Sequence, residues 1–322
     1  MMTLALALLV LQPKMPDNVE AMKKVDWIVG AWTGAGEMEG MGKYTYDIAF
    51  ERTLNANFLK VTQTVKTPES LLWHSTGYLG WDVVKKQFAW FQFGFDGTIG
   101  WTRTKDAGED GVIVMEGQLT GGGPFSNFRT TFRRTDKDAI RNRIEFLGGD
   151  KPTLFSETDF KRADKAVEHK AEAPDAGHLK KLDWMVGTWV GEGEMQGFGK
   201  YTDEYVLAKT HGGNFIRNDY WMRVDGKVVW HDTGLIGWDV DKKKYVGVNF
   251  GMDGTIGWGQ GGDGDEGVYT WEGETIGPSE KGKFRATIKR VDADTMSLTI
   301  ERRDGDTWVA AYGGGQTKKR KK

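Results

Sequence analysis

The sequence predicts an all-β protein made of two tandem antiparallel β-barrels, each preceded by a short closing helix. A repeat covers nearly the whole chain, which indicates a duplicated domain. Within each copy, short runs of aromatic and β-branched residues alternate with turn signals and have no helical pattern between them, as in a sandwich or barrel. With 322 residues, of which 39% are hydrophobic, the chain is long enough for two separate cores.

The repeat is clearest in two segments. Lys23–Trp32 returns as Lys180–Trp189, at an offset of 157 residues, and Asp96–Trp101 returns at the same offset as Asp253–Trp258. Beyond these segments the offset falls to 156, because one residue is lost in a loop. A repeat of this length indicates duplication of a complete domain and not a short solenoid period.

The repeat divides the chain into five segments. A charged stretch between the copies has the composition of a linker, and a basic run at the end is expected to be a solvated tail. The segments are an N-terminal signal-like or disordered segment at 1–18, the first barrel at 19–162, the linker at 163–177, the second barrel at 178–316 and the tail at 317–322.

Each copy begins with helix signals and continues with hairpin signals. Asp17 or Asn18 is suited to cap a first helix that runs through Met22 to Ile28. Further along, Asp-Gly dipeptides predict type I′ hairpin turns, since both central residues of that turn have positive φ. These dipeptides are Asp96-Gly97, Asp225-Gly226 and Asp253-Gly254.

The N-terminal segment favours export. Leu4–Leu11 is a short apolar run of the length found in signal peptides and is too short to span a bilayer. No basic residue precedes it in the chain. We therefore expect a secreted or periplasmic protein, with a cytoplasmic location as the alternative, and no integral membrane segment.

The charge balance and the absence of cysteine exclude several classes of function. The chain has 44 Lys and Arg against 46 Asp and Glu and therefore lacks the field that draws a protein onto nucleic acid. Without cysteine there are no disulfides, thiolate nucleophiles or zinc–thiolate sites. We find no nucleophile–base constellation, no histidine clustering typical of a metal site and no nucleotide-binding glycine motif, and we predict no cofactor.

Two phrases carry a resemblance to a bacterial domain family of unknown function, number 1579. The first is Asp-Trp-x-Val-Gly-x-Trp-x-Gly-x-Gly-Glu-Met, which begins at Asp26 and at Asp183. The second is Trp-His-x-Thr-Gly-x-x-Gly-Trp-Asp, which begins at Trp73 and at Trp230. The Gly-x-Trp that follows a short helix is similar to that of calycin and lipocalin-like barrels. This resemblance implies the barrel fold and assigns structural roles to Trp32, Trp189, Trp81 and Trp238.

A more distant similarity is to nitrobindin-like haem barrels, which share the Gly-x-Trp start and a histidine in mid-barrel. In those proteins the residue that ligates haem is a different histidine, near the C-terminal end of the domain. Copy 2 has no histidine after His231, and copy 1 has none between His74 and the linker. The similarity therefore does not extend to the haem ligand.

Histidine, threonine and tyrosine side chains on two repeated strands are the candidate ligand-binding groups. His74 and Thr76 share one strand face, as do His231 and Thr233, because alternate residues point the same way. If that face looks into the barrel, these residues would orient a ligand in an apolar pocket. The alternative is a structural histidine. The full set is His74, Thr76, Tyr78, His231, Thr233, Asn218 and Tyr220.

The predicted function is non-enzymatic binding of a small molecule, apolar or partly polar, inside a barrel. One alternative is an enzyme that uses a barrel histidine and a carboxylate as acid and base. Another is a structural module with filled barrels, and packing of the two barrels against each other is compatible with all three. We also expect the roomier and more polar pocket in copy 2, because Phe88–Phe95 becomes the less bulky Tyr245–Met252 there.

Overall fold

The computed structural model of the chain describes residues 16–38, 42–104, 110–123, 126–165, 177–195, 199–262, 266–278, 281–311 and 315–321. The signal-like run Leu4–Leu11 and most of the linker lie outside these residues. Among the described residues, no helix is both long and apolar enough to cross a membrane.

The first barrel contains ten antiparallel strands in a closed ring. Each strand pairs with its neighbours in sequence, and β1 pairs with β10 to close the barrel. The elements are α1 (Pro16–Lys23), a 3₁₀ helix (Asp26–Ile28), β1 (Gly30–Met38), β2 (Gly42–Thr53), β3 (Phe58–Lys66), β4 (Leu71–Asp82), β5 (Gln87–Gly94), β6 (Ile99–Thr104), β7 (Val112–Leu119), β8 (Asn127–Asp136), β9 (Ala139–Phe146) and β10 (Thr153–Ala163).

The second barrel repeats this ring. Strand β18 pairs with β19, and β21 pairs with both β19 and β11, so ten strands again form a closed barrel. Strand β20 pairs with β19 only. The elements are 3₁₀ helices at Lys180–Met185 and His211–Gly213, and β11 (Gly187–Met195), β12 (Gly199–Thr210), β13 (Phe215–Val224), β14 (Lys227–Asp239), β15 (Lys244–Gly251), β16 (Ile256–Gly261), β17 (Val268–Ile276), β18 (Lys281–Arg290), β19 (Thr295–Asp304), β20 (Thr307–Ala310) and β21 (Gln316–Arg320).

The basic C-terminal run is part of the second barrel, and its assignment as a solvated tail is wrong. Strand β21 occupies the place that β10 has in copy 1, since Trp189 pairs with Arg320 as Trp32 pairs with Arg162. Lys318 is fully buried. Alternation along a strand turns one residue of a lysine-rich run into the barrel while its neighbours stay outside. The second domain therefore extends through Arg320, beyond the boundary at 316.

One end of each barrel is closed by the segment before its first strand. The indole Nε1 of Trp32 donates to the carbonyl oxygen of Ile28 at 2.7 Å, and Trp189 donates to Met185 in the same way. Both indoles are buried. The closing segment of copy 1 is an α-helix that ends at Lys23 followed by a 3₁₀ helix, whereas the described part of the copy 2 segment contains a 3₁₀ helix at Lys180–Met185.

The hairpin signals mark true turns, although only one has the expected geometry. Asp225 and Gly226 both have positive φ, as a type I′ turn requires. At the other two dipeptides only the glycine has positive φ. There the aspartate accepts hydrogen bonds from nearby backbone N–H groups, for example Asp96 from Thr98.

The N-terminal helix also differs from expectation, because it begins at Pro16 and places Asp17 and Asn18 inside its first turn.

The two barrels pack against each other about a pseudo-twofold axis. The Asn57 side chain donates to the carbonyl oxygen of Met252 at 2.8 Å, and Asn214 donates to that of Phe95 at 3.0 Å. At the repeat offset of 157 residues, Asn57 corresponds to Asn214 and Phe95 to Met252. The two bonds are therefore the same contact with the barrels exchanged. Each partner thus uses the same surface, as in an isologous dimer.

Two of the aromatic contacts across this interface obey the same symmetry. The rings of Phe58 and Phe250 lie 5.4 Å apart, and those of Phe93 and Phe215 lie 5.5 Å apart. All four residues are buried in one cluster that draws on both barrels. The outer faces of β5 and β15 are therefore covered as completely as their inner faces.

Candidate ligand-binding site

Each barrel is filled near its closing segment and hollow toward the other end. The cavity is about 300 Å³ in the first barrel and about 410 Å³ in the second. The second cavity is the larger, as the aligned strands predict. Its lining is Tyr205, Asn218, Tyr220, Met222, Val229, Trp230, Asp232, Ile236, Asn249, Tyr269, Trp271, Ala286, Ile288, Leu298, Ile300, Arg302 and Gln316.

The difference in size comes with an exchange of tryptophans. Trp90 of β5 lines the first cavity, and Gly247 takes its place in β15. The neighbouring interior position changes in the opposite sense, from Met115 to Trp271. A Cβ atom at Gly247 would collide with the Trp271 ring, so the glycine makes room for the relocated indole.

A row of three interior residues distinguishes the second barrel. Asp232 of β14 lies opposite Tyr220 of β13, which lies opposite Tyr205 of β12. Residues paired in this way have Cβ atoms roughly 4.5–5.5 Å apart, so the three side chains form one patch. All three line the cavity. The matching row in the first barrel is Ser75, Gln63 and Ile48.

Asp232 is an acidic group on an otherwise largely apolar and aromatic wall. Its Oδ2 accepts a hydrogen bond from the indole Nε1 of Trp230 at 2.9 Å. Burial raises the pKa of the Asp232 carboxyl to about 7, against the smaller lowering effect of that hydrogen bond. The group can therefore gain or lose a proton near neutral pH. Sequence reasoning missed Asp232, although the change from Ser75 at an aligned position was a usable signal.

Behind this row lies a buried ion pair. Lys318 Nζ lies 2.5 Å from Asp203 Oδ2, and the hydroxyl of Tyr220 donates to the same oxygen at 3.2 Å. Burial lowers the pKa of Lys318, and the neighbouring Asp203 opposes that shift. In copy 1 the equivalent pair is aromatic, Tyr46 and Phe160 with ring centres 4.9 Å apart.

Two of the residues predicted to bind ligand, Asn218 and Tyr220, line the second cavity. Within the described part of the chain, the side-chain nitrogen of Asn218 is buried without a hydrogen-bond partner, and so is the side-chain oxygen of Gln316 on the same wall. Unpaired buried amides are costly unless something else completes their hydrogen bonds. These atoms are therefore available to a bound molecule.

The other five predicted residues lie on the outer faces of their strands. In β4 the residues paired with interior positions of β3 are Ser75 and Gly77, so His74, Thr76 and Tyr78 point out of the barrel. His231 and Thr233 point outward from β14 in the same way. The condition that this face looks into the barrel is not met: among the described residues, no histidine lines either barrel cavity.

These outward residues contribute to the barrel interface or to its margin. Tyr78 stacks on Phe250 of the other barrel with ring centres 4.5 Å apart. His74 Nδ1 lies 3.0 Å from Thr64 Oγ1, and its ring centre lies 5.8 Å from that of His211. Thr76 is half-buried. Burial and the adjacent His74 lower the pKa of His211 to about 4.

His231 lies on the outer face as well. Its ring stacks on Trp221 with centres 5.0 Å apart, and burial lowers its pKa.

The tryptophans assigned structural roles also have packing contacts. Trp81 packs edge-on against Phe88, and Trp238 does so against Tyr245, both at 5.0 Å between ring centres.

Comparison with known proteins matches one of the two copies to a family. Residues 174–313 match the family of proteins of unknown function DUF1579. No curated protein matches the chain.

Two solved structures align along most of the chain without establishing a common fold. One is a protein of unknown function from the DUF3598 family of Nostoc punctiforme, with 12% identity, a TM-score of 0.24 and coverage of 93% of this chain and 98% of that one. The other is transferrin binding protein B of Haemophilus parasuis, with 8% identity, a TM-score of 0.18 and coverage of 90% and 76%. Scores this low carry no functional argument.

Proposed function

We propose that this chain is a small-molecule-binding protein whose principal site is the cavity of the second barrel. The observation that carries the proposal is the combination of about 410 Å³ of open space with buried, unpaired polar atoms on its wall. A cavity of this size is within the range of ligand pockets, which are mainly apolar with a few convergent polar groups. A ligand that fills it would bury apolar surface and complete those hydrogen bonds.

The cavities favour binding over the structural alternative, in which side chains fill both barrels. The enzymatic alternative depended on a histidine and a carboxylate inside a barrel. The outward position of His74 and His231 leaves that alternative without its proposed acid or base. The smaller first cavity, lined mainly by apolar and aromatic groups, would take a different, less polar molecule.

We also propose that the first copy belongs to the same family as residues 174–313 and that both are calycin-like. The shared phrases at Asp26 and Asp183, and the ten-strand rings closed in the same order, support this relationship. Export of the protein remains our proposal from the apolar N-terminal run. Intact mass of the protein purified from its source would show whether that segment is removed.

Two measurements test the binding function. Native mass spectrometry of the purified chain should show a co-purifying small molecule that is lost on denaturation. Titration with Nile red should give saturable binding, which Ala286→Met weakens because Ala286 lines the second cavity. The matched control is Ala310→Met, at an exposed position. A folded chain that takes up neither ligand nor dye would contradict the proposal, as would an unchanged dye affinity in Ala286→Met.

A further inference from the structure

We propose that the second barrel selects ligands that carry an organic cation, either a protonated amine or a quaternary ammonium group, on an apolar body. This inference rests on the binding function proposed above and specifies the chemistry of the same cavity. It follows from the balance of charges in the barrel, from the aromatic wall and from the comparison with the first barrel.

Among the described residues, Asp232 on the cavity wall forms no ion pair, although Lys318 and Arg302 are positive charges in the same barrel. Lys318 and Asp203 neutralise each other at 2.5 Å. The hydrogen bond recorded for Asp232 is with Trp230, a neutral donor. A buried carboxylate without a partner is unfavourable, whereas a cation beside it restores balance. Arg302 lines the same cavity from β19 and is the basic group that a bound cation must avoid.

The wall around Asp232 is aromatic. Tyr205 and Tyr220 belong to its row, and Trp230 and Trp271 line the same space. Aromatic faces attract cations, most strongly where water is excluded, and cages of such rings recognise ammonium groups. The Tyr220 ring already has one cationic neighbour, since Lys318 Nζ lies 5.1 Å from its centre.

The first barrel lacks the acidic group and both tyrosines at the aligned positions, although Trp73, the equivalent of Trp230, lines its cavity. Ser75 takes the place of Asp232, Gln63 that of Tyr220, and Ile48 that of Tyr205. Both barrels share the fold and the hollow end, so the fold alone does not require the carboxyl group or the tyrosines. Ser75 therefore supplies the matched substitution for a test.

The cation should bind more weakly as the pH falls through 7. In the empty site the Asp232 carboxyl has a pKa of about 7, raised first by burial. A bound cation favours the ionised form and lowers that pKa, so binding releases a proton below neutrality. The charged groups around Asp232 are Asp219 on β13 and Asp253 after β15, which raise its pKa, and Lys318 on β21, which lowers it.

The test compares three probes that share an eight-carbon tail: octyltrimethylammonium, octanoate and octanol, each below its micelle concentration. Calorimetry with the full chain should show the ammonium binding about tenfold more tightly than octanol at pH 8. Octanoate should bind more weakly than octanol. The advantage of the ammonium should shrink at pH 6, and octanol should show no such trend.

Two variants assign the preference to its residues. Asp232→Ser should remove the advantage of the ammonium and keep octanol binding, which shows that the cavity is intact. Arg302→Gln should leave the ammonium at least as tightly bound as before. Preference for octanoate, or an advantage of the ammonium that survives Asp232→Ser, would overturn this inference alone. Failure of all three probes to bind the folded chain would overturn the proposed function as well.

Discussion

At the scale of single residues, the second barrel exchanges an aromatic pair for a buried ion pair. Tyr46 and Phe160 of copy 1 become Asp203 and Lys318. Lys318 is 0% exposed and the Asp203 side chain is 1% exposed, so neither charge is hydrated. Such a pair adds little net stability, but removing one partner leaves an uncompensated charge in the core.

Replacing Lys318 with alanine should therefore lower the free energy of unfolding by about 3–5 kcal/mol. The surface variant Lys321→Ala, which breaks an exposed pair with Glu204, should cost less than about 1 kcal/mol. The double variant Asp203→Tyr with Lys318→Phe restores the copy 1 pair and should recover most of the loss. Urea unfolding measures all three, and equal effects of the two single variants would contradict the buried pair.

At the scale of elements, β21 decides whether the second barrel is closed. It joins β11 to β19 and covers their edges. Without it, the backbone groups of both neighbours would lie on open edges, which is a liability for a sheet. Copy 1 achieves the same closure with one continuous strand, β10, whereas copy 2 divides that strand into β20 and β21.

Ending the chain after residue 315 should open the second barrel and leave the first barrel folded. We expect an additional low-temperature transition in the thermal melt and stronger binding of a dye that reports exposed apolar surface. Ending the chain after Arg320 instead is the control, because it keeps β21 complete. A single transition at the original temperature in the shorter chain would show that β21 is dispensable.

At the scale of the whole molecule, the centre of the interface is symmetric in its residues. Phe58 corresponds to Phe215 and Phe93 to Phe250, so these two aromatic contacts are equivalent with the barrels exchanged. The Tyr78–Phe250 stack has no aromatic counterpart, because Leu235 takes the place of Tyr78. A surface that matches itself in this way can join two identical copies.

We therefore expect the isolated second domain, residues 177–321, to form a dimer through this face. Phe215 of one copy would meet Phe250 of the other, in the way that Phe58 meets Phe250 and Phe93 meets Phe215 in the intact chain. Light scattering after size exclusion should give the mass of a dimer, and Phe250→Asp should give a monomer. Val291→Asp, at an exposed site, should leave the dimer unchanged. A monomer at all concentrations would contradict the prediction.

The sequence by itself determined the all-β class, the duplication and the positions of several hairpin turns, because these depend on local signals. Strand length, turn residues and a constant repeat offset are visible without tertiary contacts. Alternation also shows that His74 and Thr76 share a face and that Asn218 and Tyr220 share another. It identified two of the residues that line the cavity.

Only the tertiary structure decided which face of each strand is inside. The barrel interface buries the outer faces of β5 and β15, so apolar residues occur on both sides and alternation no longer distinguishes core from surface. Closure by β21 likewise decided that Lys318 is a core residue, although five basic residues in a row read as a solvated tail. In both cases the contact that decides the outcome joins residues far apart in sequence. The partner of a residue in such a contact cannot be identified from the local pattern.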